Sequence, residues 1–435
     1  MSLTIGILKE TAESEKRVAA SPDTVKKYIA LGADVIIEKN AGVTADILDK
    51  DYTDAGAKLA SATDIAKKSD ILLCVQTPKD SVISALKNKA LLIGGLAPHD
   101  NKAAIAKWAK ADITACAMEL MPRITRAQSM DILSSQSNLA GYKSVLDASN
   151  HFARAFPMMM TAAGTVAPAK VFVMGAGVAG LQAIATAKRL GAIVSATDVR
   201  PASKEQVESL GGTFVAVEDE EFKQAETDGG YAKAMSADYQ KKQETLVAQH
   251  IAKQDIVITT ALIPGRDAPT LITEAMVKTM KAGSVIVDLA VERGGNCTLS
   301  EAGKVVEKHG VTIVGHKNVP SRIAADASLL FAKNLLTFVT TLVNKDTNTI
   351  DINWDDEIIQ GVALTKDGEI IHPQFKGDAP TKVATKTAVK AAKKTAAKKT
   401  PAKKAPAKKP ATKTATKTAT KTSTKTTTTA KKAKS

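Results

Sequence analysis

Residues 170–198 read KVFVMGAGVAGLQAIATAKRLGAIVSATD, and this stretch decides the fold. A short apolar run, Val171 to Met174, ends at GAGVAG; a helical segment follows until Gly191 stops it, and a second apolar run ends in Asp198. That succession predicts a strand, a tight glycine turn, a helix and a parallel strand, with an acid 23 positions after the first glycine. The three glycines do different things. Gly175 allows the sharp turn, Gly177 lets backbone amides approach a pyrophosphate, and Gly180 lets the helix pack on the sheet without a side chain between. The helix opens with unpaired N–H groups and the positive end of its dipole toward the phosphates. Asp198 can accept hydrogen bonds from a ribose diol and repel a 2'-phosphate, which points to NAD rather than NADP. The alternative is a glycine turn serving only as a tight connection between strand and helix.

The rhythm extends outward from this unit. Between residues 1 and 135, β-rich runs at Thr4 to Leu8, Asp34 to Glu38, Ile71 to Gln76, Ala90 to Gly94 and Ile113 to Met118 alternate with helical segments such as Asp23 to Leu31 and Asn101 to Ala109. Asp100 reads most simply as the N-cap of the latter helix, and His99 beside it needs no chemical role. From Gly141 to about Pro320, runs at Thr213 to Val217, Asp255 to Thr260, Ser284 to Leu289 and Val311 to Val314 bring the second unit to six strands. Ser321 to Val343 reads as one amphipathic helix returning the chain to the first unit. The predicted class is therefore α/β: two Rossmann-like doubly wound parallel-sheet domains, one from residues 1–135 completed by 321–380, the other from 141–320.

Two segments depart from the rhythm. Glu119 to Gly141, ELMPRITRAQSMDILSSQSNLAG, gathers arginines, glutamine, aspartate and serines at the expected cleft between the domains, where ligands prefer to sit; composition alone favours a plain connector whose arginines pair with nearby acids. A charged insert, EDEEFKQAETDGGYAKAMSADYQKKQETL, carries Gly229 and Gly230 followed by Tyr231, which suits either a loop closing over a nucleotide or a solvated helical insert.

The net charge of +15 is misleading, because Thr381 to Ser435 holds 18 Lys and no Asp or Glu, leaving residues 1–380 at −3. This 381–435 tail of Lys, Ala, Thr and Pro has no aromatic residue and is expected to be disordered. Its natural partners are polyanions: nucleic acid through counterion release, or anionic lipid at about 1 kcal/mol per Lys. A merely solubilising extension is the bland alternative. Cys74, Cys116 and Cys297 show no metal spacing and read as buried thiols of a reducing compartment, so no metal is expected. The start lacks the regions of a signal peptide, and the most apolar stretch, Ser328 to Val343, contains Lys333 and Asn334, so the chain is not expected to span a membrane by itself.

GILKE near the start, EKRVAASP from Glu15 to Pro22, RAQSMDILSSQSNLAGY, and GAGVAG with ATDVR together resemble the alpha subunit of the proton-translocating NAD(P) transhydrogenases. The likeness covers residues 1–378 and is to the soluble NAD(H)-binding portion made as a separate polypeptide. It implies that Arg123, Asp131 and Ser134 surround the nicotinamide carboxamide, that Ser129 and Met130 belong to the same cofactor loop, and that Gln128 faces the partner's NADP(H). It assigns Val178, Asp198, Val199 and Arg200 to the pyrophosphate and adenosine ribose, and Gly230 and Tyr231 to a mobile loop that closes over NAD(H). Hydride would pass directly between two nicotinamides without a general acid or base. The implied partners are a second copy in a homodimer, an NADP(H)-binding subunit and a membrane-spanning proton-channel subunit. The implied location is peripheral, on the inner face of the bacterial cytoplasmic membrane.

The sister family, alanine dehydrogenase, shares the GILKE and RVA patterns and a candidate carboxylate ligand in Arg17. Its catalytic lysine corresponds to Gln76 in CVQTP, however, and its catalytic histidine to Gly95 in GGLAP, so amino-acid oxidation is disfavoured. A third reading is a non-enzymatic NAD-binding protein whose basic tail holds DNA; it leaves the RAQSMD loop without a purpose.

Overall fold

The computed structural model describes residues 3–225, 235–263 and 265–377. Gly230 and Tyr231, and with them the closing-loop expectation, lie outside the described residues, as does the 381–435 tail.

Two sheets organise the described chain. The first contains β1 (Thr4–Ile7), β2 (Asp34–Glu38), β3 (Lys58–Ala60), β4 (Ile71–Gln76), β5 (Leu91–Gly95) and β6 (Thr114–Ala117) in the order β3-β2-β1-β4-β5-β6, all parallel. Its connecting helices are α1 (Pro22–Ala30), α2 (Asp49–Asp54), α3 (Ala62–Lys68), α4 (Asp80–Ile83) and α5 (Lys102–Lys110). Helix α1 starts where Ser21 caps the Thr24 N–H and Pro22 supplies a preset φ in the first turn. Along β4, Ile71, Leu73 and Val75 enter one hydrophobic core while Leu72 and Cys74 enter the other, the signature of a strand covered on both faces. β3 is a sixth strand beyond the five expected; it is short and partly exposed, so alternation gives little sign of it.

Helix α6 (Ile132–His151) then runs for 20 residues, taking in the second half of the Glu119 to Gly141 segment. A small exposed hairpin of β7 (Met159–Thr161) and β8 (Gly164–Val166) follows. The second sheet contains β9 (Lys170–Met174), β10 (Ile193–Thr197), β11 (Thr213–Phe214), β12 (Ile256–Thr259), β13 (Val285–Asp288), β14 (Lys304–Lys308) and β15 (Val311–Gly315). Its order is β11-β10-β9-β12-β13-β15-β14. Six strands are parallel, and the unexpected seventh, β14, pairs antiparallel to β15 as a polar edge. α7 (Val178–Arg189), α8 (Ser203–Ser209), α9 (Glu220–Lys223), α10 (Ala237–Ile251) and α11 (Glu274–Thr279) flank this sheet. The described ends of the charged insert are thus helical, in α9 and α10.

The return helix α12 (Ala324–Leu342) starts three residues later than the periodicity suggests, after a 3-10 turn at Val319–Ile323. Phe331, Leu335, Phe338 and Val339 bury it in the same core as β1, β2 and β4. Val319–Leu342 is also, among the described residues, the one segment long and apolar enough by composition to cross a membrane; half of it is buried within the protein. α13 (Glu357–Val362) and an isolated antiparallel bridge from Ala363 to Cys116 join the C-terminal segment to the edge of the first sheet.

Candidate functional site

In each sheet the strand order reverses beside its first strand, between β1 and β4 and between β9 and β12. Ligands of open α/β sheets settle outside the carboxyl ends of the strands at such points. The two sets of carboxyl-end loops meet. Asp100, after β5, makes a bidentate ion pair with Arg293, after β13, at 2.7 and 2.5 Å. His99 lies beside Gly265, after β12, close enough that a Cβ there would sit 3.0 Å from its Nδ1. This corrects the N-cap reading of Asp100: Asn101 holds the cap position of α5 without a side-chain bond, and the Asp100 carboxylate is drawn away to a guanidinium 193 residues distant.

At the second switch point the glycine turn has the geometry its spacing implies. Gly175 has φ +101°, and a Cβ on Gly180 would fall 1.8 Å from the Gly175 carbonyl oxygen, so only glycine permits this strand-to-helix approach. Gly177 caps α7 without a side-chain partner, and a Cβ placed on it would meet nothing within 4 Å. Backbone N–H groups at a helix start therefore face open space that can take a bulky anion. Thr260, following β12, donates its hydroxyl to the Gly175 carbonyl at 3.0 Å and ties the two strands together across the switch. Val178, Val199, Leu262 and Ile263 are exposed aliphatic residues around this turn, an apolar surface of the kind a bound nucleotide covers. Nothing in the local sequence singles out Thr260, Leu262 or Ile263, because they become neighbours of the turn only through strand order.

Asp198 sits at the end of β10, where it accepts the Ala176 N–H at 2.7 Å and so braces the glycine turn. Its two oxygens also accept from Arg200 Nε and Nη2 at 2.9 and 3.0 Å. Burial alone would raise this carboxyl, but the Arg200 hydrogen bond and charge, with the Ala176 and Arg200 N–H groups, hold it below the usual carboxylate value. The carboxylate is therefore paired with a cation rather than standing as a lone anion.

The RAQSMD loop forms a 3-10 turn, Thr125–Met130, that leads directly into α6. Met130 and Ala127 anchor it in the core, while Gln128 and Ser129 are exposed and Arg123 is exposed at its entry. Asp131 caps α6, accepting the Ser134 N–H at 2.9 Å and the Ser134 hydroxyl at 2.5 Å. The structure thus brings Asp131 and Ser134 together as a capping pair. Helix α6 connects the loop to the glycine turn: a Cβ on Gly141 would lie 2.0 Å from the carbonyl oxygen of Ala179, in the first turn of α7. One helix therefore has Asp131 at its start and the glycine-turn helix α7 packed against it ten residues later. The other buried positions of α6 include Gln136, Ser144 and Asp147, so its inner face is small and polar and escapes a search for apolar periodicity.

A second polar cluster fills the carboxyl end of the first sheet. Arg17 donates through Nε and Nη2 to both oxygens of Glu15, at 2.8 and 2.7 Å, and through Nη1 to Gln136 Oε1 at 2.8 Å. Gln76 donates to Glu15 Oε2 at 2.6 Å, as does Asn318 at 2.9 Å. Burial works against the Glu15 charge, yet the Arg17 hydrogen bonds and charge prevail and lower its carboxyl to about 2. Glu10, which accepts the Val75 N–H at 2.6 Å, goes the other way: burial, with Glu15 nearby, raises it to about 7. Every donor nitrogen of the Arg17 side chain is thus engaged within the protein.

Two doubly wound sheets whose carboxyl ends meet, with a glycine-turn helix and an acid closing the second strand, define a dinucleotide-binding α/β protein. Residues 6–140 match the family description "Alanine dehydrogenase/PNT, N-terminal domain" and residues 144–373 its C-terminal domain. The chain is 58% identical over 381 residues to the Rhodospirillum rubrum polypeptide that forms the first section of NAD(P) transhydrogenase subunit alpha, covering 86% of this chain and 99% of the relative. It is 27% identical to alanine dehydrogenase of Methanococcus maripaludis, covering 84% of this chain and 92% of that enzyme. The crystal structure of transhydrogenase from Sinorhizobium meliloti superposes with a TM-score of 0.78 at 56% identity, over 85% of this chain and 100% of that one. The chain belongs to the alanine dehydrogenase/PNT family, on its NAD(P) transhydrogenase alpha-subunit branch.

Proposed function

We propose that this chain is the NAD(H)-binding subunit of a proton-translocating transhydrogenase, in which hydride passes directly from NADH to NADP+ held on a partner subunit. The observation carrying this reading is the rod formed by α6, which ties an exposed RAQSMD loop to the phosphate-facing turn of α7. The nicotinamide rings supply the hydride chemistry; the residues of this chain bind, orient and exclude water. The N–H groups of Gly177 and Val178 hold the pyrophosphate, Asp198 with Val199 and Arg200 holds the adenosine ribose, and Arg123, Asp131 and Ser134 hold the carboxamide plane. Gln128, exposed beside Ser129 and Met130, reaches toward the partner's nucleotide. Gly230 and Tyr231 are assigned to the segment that closes over the bound cofactor.

The chain acts beside a membrane-spanning proton-channel subunit, so it works at the inner face of the cytoplasmic membrane. It pairs as a homodimer, for which the exposed β7–β8 hairpin offers an apolar edge: Met158, Met159 and Met160 are all exposed to solvent, and an isolated two-stranded hairpin gains stability from being covered. Sedimentation equilibrium on Met160→Asp tests this, a monomer being the expected outcome and an undisturbed dimer the contrary one. The basic tail serves as a polyanion-binding arm, and co-sedimentation with anionic liposomes against gel shift with DNA, with and without residues 381–435, identifies its surface.

The function itself is tested by mixing the purified chain with an NADP(H)-binding partner subunit and following hydride transfer between the two nucleotides. Gln128→Asn shortens the reach by one methylene and is expected to slow transfer at least about tenfold while NADH still binds. Equal rates in the variant and the wild type would remove Gln128 from the reaction.

A further inference from the structure

The most apolar helix of the described chain, α12, carries one buried amide. Asn334 is 7% exposed and lies in the same stretch of helix as the buried Phe331, Leu335 and Phe338. An amide in such surroundings costs stability unless its donor and acceptor are both matched. Both are. Asn334 Nδ2 donates to the Ser129 carbonyl at 2.8 Å, and its Oδ1 accepts the Ser135 hydroxyl at 2.7 Å. These two contacts fall on either side of Asp131, one in the last turn of the RAQSMD loop and one in the first turn of α6. The Ser135 hydroxyl is also approached by Gln136 Nε2 at 3.2 Å, whose own Oε1 is held by Arg17, so the pin is continuous with the Glu15–Arg17 cluster.

We propose that Asn334 is a positioning residue for hydride transfer, fixing the peptide that follows Gln128 and Ser129 so that Gln128 and Asp131 keep their orientation toward the reacting nicotinamides. The proposal rests on the functional reading above. Asn334 acts through the backbone of Ser129 and the start of α6 rather than by contact with the cofactor. Without its amide the Ser129–Met130 peptide loses this tether to α12, and the turn can rotate while Met130 stays buried. A core amide with a purely structural part would instead change stability and leave the rate of transfer alone.

The test uses the full chain with an NADP(H)-binding partner subunit. Asn334→Asp keeps an acceptor for Ser135 but sets a carboxylate oxygen against the Ser129 carbonyl; Asn334→Ala removes both contacts without adding charge. For each folded variant, NADH affinity is measured by fluorescence titration and hydride transfer by single-turnover stopped flow. The expected result is NADH affinity within about twofold of wild type and a transfer rate reduced at least about tenfold, since misplacement of about 1 Å carries costs of that order or more. Wild-type transfer rates in the folded variants overturn the proposal. So does loss of NADH affinity in parallel with rate, or failure of both variants to fold, either of which makes Asn334 a folding element. Absence of transfer in the wild type overturns the functional reading instead, so the two failures are distinct.

Discussion

At the scale of single residues, charge pairing decides what the cofactor site can discriminate. Asp198 is covered by Arg200, so removing the acid leaves a guanidinium beside the position proposed for the adenosine ribose. Asp198→Ser is expected to weaken NADH binding and to strengthen NADPH binding, moving the ratio of their affinities by about tenfold or more, the order of one charge-assisted hydrogen bond. Fluorescence titration with both nucleotides checks this, and an unchanged ratio would mean that Arg200 does not reach a 2'-phosphate. Glu10 and Glu15 give opposite pH dependences. Glu10 is raised from 4.5 to about 7, so its contribution to stability is fully present below about 4.5 and is lost as pH rises toward 7. Glu15 is lowered to about 2, so its contribution is present above about 4.5 and is lost as pH falls toward 2. Glu10→Gln keeps an acceptor for the Val75 N–H and removes the titration; its melting temperature should rise relative to wild type between pH 5 and pH 8. A constant difference across that range would show that Glu10 titrates normally. The glycine positions are legible as spacing alone, whereas the pairing of Asp100 is not, because its partner Arg293 follows a strand of the other sheet.

At the scale of elements, the close contact between α6 and α7 joins the two ends of the site. The carbonyl that Gly141 approaches belongs to the backbone, which cannot swing aside like a flexible side chain. Gly141→Ala should therefore push the helices apart, lowering stability by about 1–3 kcal/mol as overpacking does, with a parallel fall in NADH affinity. Calorimetry and NADH titration on the same sample read both, and a neutral substitution would remove α6 from its connecting role. This helix is the element least legible in the sequence. Its buried face runs Ile132, Gln136, Ala140, Ser144 and Ala148, where four of five residues are small or polar and carry no apolar signal. β3 and β14 escape for a related reason: both are edge strands with exposed residues, and edges need not alternate. The central strands β4, β9, β12 and β13 are plain, since burial on both faces makes them continuous aliphatic runs.

At the scale of the whole molecule, the described chain is two sheets whose carboxyl-end loops meet and whose first core is completed by α12 from far along the sequence. Alternation of apolar runs with helical segments makes this class readable, and the amphipathic return helix makes the long-range closure readable. The pairing of the loops across the cleft is hidden, because an ion pair such as Asp100–Arg293 leaves no periodic trace. Both partners of that pair are substantially exposed, so Arg293→Ala should cost less than about 1 kcal/mol, which thermal melting can bound. The function proposed for this chain is direct passage of hydride from a nicotinamide bound on it to one bound on a partner. It is tested most directly by giving the assembled subunits NADH dideuterated at the nicotinamide C4 and analysing the NADPH formed. One deuterium should appear in each NADPH, with no hydrogen taken from solvent. NADPH carrying solvent hydrogen, or none formed by subunits that bind both nucleotides, would contradict direct transfer.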